Sequence, residues 1–387
     1  MGRIIKYMPL LNEISGSNSS TSYLIATTAL PYVRWDNDAY TGTVKVYMEV
    51  MLKTSNASYA AYAMLYTTAG VAVTGSDIST TSTTSTWLRT SDFKANLTDD
   101  TNYYLRIKVA NASATVTVYA ARLVIEQTGA ITKTESQISL GGQVVGTTNT
   151  SGIDYTYLYY FYWDSKRFDG AVSVYFEATL RNTGVGVTSY AWLADGSNTL
   201  VTGSTASVTG TTANRSRSSA ITLVDGTTYH ARLRTSSGIG TCQVSDVRLI
   251  VQQAGFTKTE THYVLSPRQF TDTSTGSGGT NMGDNIVWNY NSNEWIVAVN
   301  NVYFEATIAT SASTGYLDLN DGSTDLVTIT TTSSTKARVR SSAIIPANNT
   351  NYDGQTHVGS AATMNITGVR LVIHTQLMNA PNMGANF

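Results

Sequence analysis

The chain has 387 residues and a single cysteine, Cys242, so no disulfide within it can staple the fold. Cys242 sits in an alternating segment, Thr241-Cys242-Gln243-Val244, where a small core residue is expected rather than a reactive thiol. Proline occurs only 5 times, which leaves long stretches free to pair as strands. Charged residues are 13% of the chain, about half the usual share, and the formal net charge is −1. Such a balance provides no electrostatic footprint for nucleic acid or an acidic membrane, so neither is expected as a partner. No apolar run approaches the roughly 18 residues a membrane-spanning helix needs, and no membrane insertion is expected. Met1 to Pro9 lacks an apolar signal region and a small-residue cleavage site. We therefore expect no Sec signal peptide in the chain, and an extracellular surface or a virion as its location.

Catalytic motifs are missing as well. There is no CxxC, no HExxH, no GxSxG elbow and no glycine loop that follows a strand and opens a helix. The histidines, His230, His262, His357 and His374, do not recur at matching places. We expect no catalytic residues, no cofactor and no enzyme. One weak calcium candidate is Asp321-Gly322-Ser323-Thr324-Asp325, where Asp321 and Asp325 bracket alternating oxygen donors. A hairpin turn explains the same residues, because Asp195-Gly196-Ser197-Asn198 resembles them without the second carboxylate.

What the chain has is repetition. Val46-Tyr47-Met48-Glu49, Val174-Tyr175-Phe176-Glu177 and Val302-Tyr303-Phe304-Glu305 place a glutamate every 128 residues (177 − 49 and 305 − 177). Each copy opens on a polar-alternating strand: Ile4 to Tyr7, Ile131 to Glu135, and Phe256 to Glu260. Each carries an arginine strand (Trp87 to Arg89, Arg215 to Arg217, Arg338 to Arg340). Each closes on Ala121-Arg122-Leu123-Val124-Ile125 or its counterparts at Arg248 and Arg370. One unit is thus written three times. The expected divisions are 1–128, 129–254 and 255–377, followed by a tail, 378–387, which either frays or docks on a neighbouring subunit.

Nearly every segment alternates with period two, as Val172 to Leu180 illustrates, so half-buried antiparallel strands are predicted. Strands spaced about 8–12 residues apart imply about eight per copy and an all-β jelly-roll-like sandwich. The linkers are short (Gln127 to Ala130, Gln253 to Gly255), from which a stiff rod is expected.

The repeated acid and base suggest cross-strand pairs on the outer sheet face: Glu49 with Arg122, Glu177 with Arg248, and Glu305 with Arg370. Exposed pairs of this kind contribute about 0–1 kcal/mol each. Aromatic residues suggest a second role. Trp35, Tyr160, Trp163, Trp192, Trp288 and Trp295 could stack on sugar rings, and Tyr155, Tyr157 and Tyr159 alternate beside them. The same residues fit packing in a core or an interface.

The unit reads Tyr175-Phe176-Glu177-Ala178-Thr179, the Asp195-Gly196 turn, Arg217-Ser218-Ser219-Ala220, Asp225-Gly226-Thr227-Thr228-Tyr229 and Val247-Arg248-Leu249-Ile250-Val251. This pattern resembles the tandem jelly-roll repeats of prokaryotic surface-filament and viral structural proteins, and the related shape of carbohydrate-binding modules. The resemblance implies a non-catalytic module that binds or builds. The leading expectation is a structural subunit that polymerises with itself into a filament or a virus-particle surface. Its N-terminal strand (Arg3 to Tyr7) or its tail would extend a neighbour's sheet. The alternative is an adhesin with a glycan ligand.

Overall fold

The computed structural model describes residues 3–11, 16–26, 32–155, 159–255, 257–266, 269–276, 279–282, 288–290 and 298–377. Tyr157, Trp295 and the tail 378–387 lie outside the described residues. No α-helix occurs among those described; strands dominate, with a few 3-10 turns.

The first repeat runs β1 (Arg3–Leu11), β2 (Gly16–Asn18), β3 (Leu24–Ile25), β4 (Val33–Trp35), β5 (Thr43–Thr54), β6 (Ala61–Thr67), β7 (Ile78–Thr80), β8 (Thr86–Arg89), β9 (Thr101–Val109) and β10 (Val116–Thr128). The second runs β11 (Thr134–Gly141), β12 (Val145–Thr147), β13 (Ile153–Asp154), β14 (Phe161–Tyr162), β15 (Ala171–Asn182), β16 (Thr188–Asp195), β17 (Ala206–Thr209), β18 (Asn214–Ile221), β19 (Thr228–Thr235) and β20 (Cys242–Ala254). The third runs β21 (Lys258–Ser266), β22 (Phe270–Asp272), β23 (Thr280–Asn281), β24 (Trp288–Tyr290), β25 (Ala298–Thr310), β26 (Gly315–Asn320), β27 (Asp325–Thr331), β28 (Ala337–Arg340), β29 (Thr350–Val358) and β30 (Met364–Leu377).

Each repeat forms two antiparallel sheets with the same order. In the first repeat they are β1-β10-β5-β8, with β2 also on β10, and β3-β9-β6-β7, with β4 also on β9. Joining the broken pairs β1/β2 and β3/β4 leaves eight strands in the orders 1-8-3-6 and 2-7-4-5. That is the jelly-roll arrangement, in which each sheet draws on both halves of the chain. Alternation builds the core between the sheets. On β15, Val174, Phe176, Ala178 and Leu180 enter the middle layer, where they meet Leu193, Leu233 and Leu249. Cys242 belongs to this layer, and its thiol is free and buried.

The three sandwiches do not form a rod. β1, β11 and β21 pack on one another, so the first repeat touches the third as well as the second. The short linkers are pinned rather than merely short. The Gln127 side chain donates to the carbonyls of Thr41 and Lys133 at 2.9 and 2.8 Å. Gln253 repeats the clamp on Gly255 and Lys258, at 2.8 Å each. Gly170, at φ 72°, lies so close to the linker that a Cβ would sit 2.1 Å from the Ala254 carbonyl oxygen. The clamped linkers turn the repeats inward, and three similar units turned the same way close on themselves.

Closure changes the fate of the first strand. β1 pairs with β10 along its length and is almost entirely buried, so Arg3 to Tyr7 is not free to extend a neighbour's sheet. Its sandwich covers one face, and β11 and β21 cover the rest. β11 is buried at all 8 of its residues although five of them, Thr134, Glu135, Ser136, Gln137 and Ser139, are polar. The period-two pattern predicted a half-exposed strand there; the exposed half is covered by the other repeats.

Candidate functional site at the junction of the three repeats

The junction is built from the edge strands of the three first sheets. In register with the closing strands, Lys6 lies opposite Ile125, Ser136 opposite Val251 and Thr261 opposite Ile373, which are equivalent positions. The Lys6 and Ser136 side chains meet across repeats, and Thr259 and Thr261 join them from the third repeat. The Lys6 ammonium donates to Ser136 Oγ at 2.7 Å, to Thr259 Oγ1 at 2.5 Å and to the Glu260 carbonyl at 2.8 Å. Ser136 donates to the Glu260 carbonyl at 2.7 Å, and Thr261 donates to the Ile5 carbonyl at 3.1 Å. Burial lowers the Lys6 amine to about 7, with the Glu260 carboxylate opposing that shift. These residues were missed by sequence reading. Their signal was the polar-alternating strand that opens every copy, which looks solvent-exposed until its partner is known.

A second layer surrounds the first. Glu260 is buried against His262 (2.5 Å), His374 (2.7 Å) and Arg167 of the second repeat (2.9 Å). Burial raises its carboxyl, but the imidazoles and the guanidinium together hold it well below the usual carboxylate range. Burial depresses His262 to about 4 despite Glu260, so the ring is neutral near pH 7. Glu135, at the equivalent place in the second repeat, is raised by burial and bonded by Gln137 and Gln252. Like positions therefore carry unlike chemistry, and the threefold relation is approximate.

The repeated glutamates and arginines form the outer wall of the junction. Glu49 faces Arg122 across β5 and β10, at 2.6 Å, and Arg89 on β8, at 3.5 Å. Glu305 bonds Arg370 at 2.5 Å, Arg340 at 2.6 Å, and also Arg338. Glu177 lies in register with Arg248 but bonds Arg217, at 2.6 Å, and Arg215 instead. The Arg248 guanidinium turns to Asp246, which a left-handed backbone (φ 50°) presents beside it. A Glu177–Arg248 contact is thus corrected to a shared network with Asp246, because Arg215 bridges the two carboxylates.

These groups are not the exposed pairs expected from alternation. Glu177, Glu305 and Arg248 are each 1% exposed, and Arg370 is 2%. They are buried because the arginines reach across repeats. Arg248 donates to the Pro9 carbonyl of the first repeat at 3.3 Å. Arg370 donates to the carbonyls of Ser139 and Tyr160 of the second repeat, at 3.1 and 2.9 Å. Arg122 lies 4.0 Å from the Tyr263 ring centre of the third repeat, with Trp87 and Tyr7 on its other sides. The cycle closes: second to first, third to second, first to third. Burial raises the Glu177 carboxyl, but Arg215, Arg217 and Arg248 outweigh it and hold the group down at about 2. Glu305 is lowered for the same reason by Arg370, Arg340 and Arg338.

The aromatic candidates divide differently. Trp35 stacks on Tyr40 at 5.4 Å and Trp163 on Phe168 at 5.2 Å; both indoles are interior, as is Trp288 beside Tyr352. Tyr160 is half-buried at the interface between the second and third repeats, where its amide bonds Thr307 at 3.2 Å. Trp192 is 8% exposed and lines an outer groove with Tyr190, Asn198, Arg232 and Arg234. Asp321 accepts from the Ser323 and Thr324 amides of its own turn, at 2.9 and 2.8 Å, and Asp325 accepts from Asn320 at 2.7 Å. Among the described residues no three His, Cys, Asp or Glu side chains are grouped as metal ligands.

No family model matches the chain, and no curated protein matches it. Three solved structures give low-level likenesses, each at 9% identity. One is described as "The Triple Jelly Roll Fold and Turret Assembly in an Archaeal Virus" (TM-score 0.19, covering 89% of this chain and 82% of that one). Another is "Crystal structure of infectious bursal disease virus VP2 subviral particle" (TM-score 0.23, 100% and 83%). The third is "Life in the extremes: atomic structure of Sulfolobus Turreted Icosahedral Virus" (TM-score 0.19, 90% and 84%). At TM-scores this low none carries an argument, and the jelly-roll assignment rests on the strand order above.

Proposed function

We propose that the chain is a non-enzymatic structural subunit that assembles with copies of itself into the surface of a particle, virion or extracellular. The observation that supports this reading is the closure of the three sandwiches around one buried polar junction. A rod offers its ends for assembly and grows as a filament. A closed three-sided body offers contacts in several directions of a plane, which is what a shell or lattice requires. Closure also uses up the repeat-to-repeat surfaces inside one chain. The faces left outside are hydroxyl-rich and of low charge, so copies approach with little repulsion. No helix among the described residues is long and apolar enough to cross a membrane.

The test is negative-stain electron microscopy of the purified protein across a concentration series. Sheets, shells or lattices of a compact three-lobed unit support the reading. Single dispersed bodies at every concentration, with or without crowding agents, argue against it.

A second reading, glycan binding, has one observation in its favour. The outer groove of the second repeat, about 260 Å³, combines the Tyr190 and Trp192 rings with Asn198, Arg232 and Arg234. The Trp192 ring packs on Gly152, which lies where the first repeat has Tyr23; a Cβ there would meet the ring at 2.6 Å. Saturable quenching of tryptophan fluorescence by a carboxylated sugar, lost in Arg234→Ala, would support it.

A further inference from the structure

Every sheet edge invites another strand, and this fold blunts its edges in identifiable ways. The edges β1, β11 and β21 are buried against one another at the junction. The outer edges of the first sheets, β8, β18 and β28, carry Arg89, Arg215, Arg217, Arg338 and Arg340, all drawn to the central glutamates. The outer edges of the second sheets in the first two repeats are cut short, β7 to 3 residues and β17 to 4.

The shortening has a specific cause. Before β7 the chain reads Val73-Thr74-Gly75-Ser76-Asp77, and before β17 it reads Val201-Thr202-Gly203-Ser204-Thr205. Gly75 and Gly203 take left-handed backbone angles, φ 80° and 82°, which loop the chain off the edge. The serine that follows is buried and does the work of a strand partner. Ser76 accepts from the Leu65 amide at 3.1 Å, and Ser204 accepts from the Leu193 amide at 3.1 Å. Both loops therefore act as plugs.

The third repeat has lost the plug. Val327-Thr328 runs straight into Ile329, three residues shorter than its counterparts. Leu319, at the position of Leu65 and Leu193, pairs directly with Val327. The result is β27, an edge of 7 residues, Asp325-Leu326-Val327-Thr328-Ile329-Thr330-Thr331, regular from Val327 to Thr331 and bulged at Leu326, where its pairing with β26 shifts register. It has no proline, no lysine and no arginine, and five of its residues are β-branched. Ile329 faces the core, while Thr328 and Thr330 are exposed. Among the described residues its only strand neighbour is β26.

We infer that β27 is a docking edge for β27 of a second copy, the two strands pairing antiparallel across a twofold axis into one continuous sheet. The second copy follows from the self-assembly reading, and charge selects the direction. The only charge on the strand is Asp325 at one end. In an antiparallel pair centred on Thr328, Asp325 of one copy falls at the uncharged Thr331 end of the other, whereas a parallel pair would set two carboxylates at the same end. One such edge per chain joins bodies two by two, a closed contact rather than an open filament. This inference rests on the self-assembly reading and names one surface that it would use.

The experiment compares the full-length chain with two variants. One inserts Gly-Ser-Thr between Thr328 and Ile329 and restores the plug of the second repeat, a loop this fold already accommodates. The other is Thr330→Lys, which places a charge on the exposed face. Sedimentation velocity over a concentration series is read together with amide hydrogen exchange of residues 325–331. The expected result is a two-copy step in the unaltered chain, with at least tenfold slower exchange of that segment on association, and loss of both effects in both variants. Association that persists in both variants, with exchange of 325–331 independent of concentration, overturns the edge and leaves the assembly reading standing. An unaltered chain that stays single throughout overturns both.

Discussion

Replacing Lys6 by methionine removes the one ammonium at the centre of the junction while roughly keeping its volume. The groups it leaves retain partners. Ser136 still donates to the Glu260 carbonyl at 2.7 Å, and Thr259 still donates to Gln253 Oε1 at 2.9 Å. Burial depresses the Lys6 amine from 10.5 to about 7. Between those values the unfolded chain binds a proton that the folded chain does not, so the wild-type fold gains stability as pH rises through the window. Below about 7 the penalty for the buried charge is present in full, and above 10.5 it is absent. Across that window, stability changes by about 1.4 kcal/mol for every pH unit. From pH 6 to pH 10 the wild type should therefore gain about 4 kcal/mol relative to Lys6→Met, as an upper figure. The assay is urea unfolding of both proteins at unit steps of pH, taking the difference between them so that shared titrations cancel. A difference constant to within about 1 kcal/mol across that range would refute the claim that the junction holds a strongly desolvated amine.

Other expectations follow from the same geometry. Glu177 is held at about 2 against an ordinary value of 4.5, so its contribution is present above 4.5 and lost as pH falls toward 2. That is about 3 kcal/mol, and Glu177→Gln should flatten the acid limb of the stability profile by that amount. Arg370→Met leaves Glu305 with Arg338 and Arg340 but strips the Ser139 and Tyr160 carbonyls of their donor. A loss of about 3–5 kcal/mol is expected in denaturant unfolding, and a loss under about 1 kcal/mol would mean that water takes over the carbonyls. Cys242 is fully buried, and burial raises its thiol, so a thiol reagent should label it only at the rate of unfolding. Rapid labelling of the native protein would contradict the packing of the second core.

The strands, the jelly-roll class and the threefold repetition were legible because each rests on local periodicity: Val174, Phe176, Ala178 and Leu180 alternate whatever surrounds them. The Asp-Gly turns and the glutamate recurring every 128 residues were legible for the same reason. The partners of Glu177, Glu305, Arg248 and Arg370 were not. A polar residue on the outer face of a strand reads as solvated, and alternation does not distinguish water from the carbonyl of another repeat. The same limit concealed Lys6, Ser136 and Thr259, whose polarity suited an exposed strand. It also turned two short linkers into an expected rod, because length alone does not give direction; the Gln127 and Gln253 clamps do. Sequence by itself determined the unit, its number and its inner core. Only the tertiary structure decided that the outer faces of the first strands are a second interior, since desolvation depends on what lies across a gap of a hundred residues or more rather than on the residue itself.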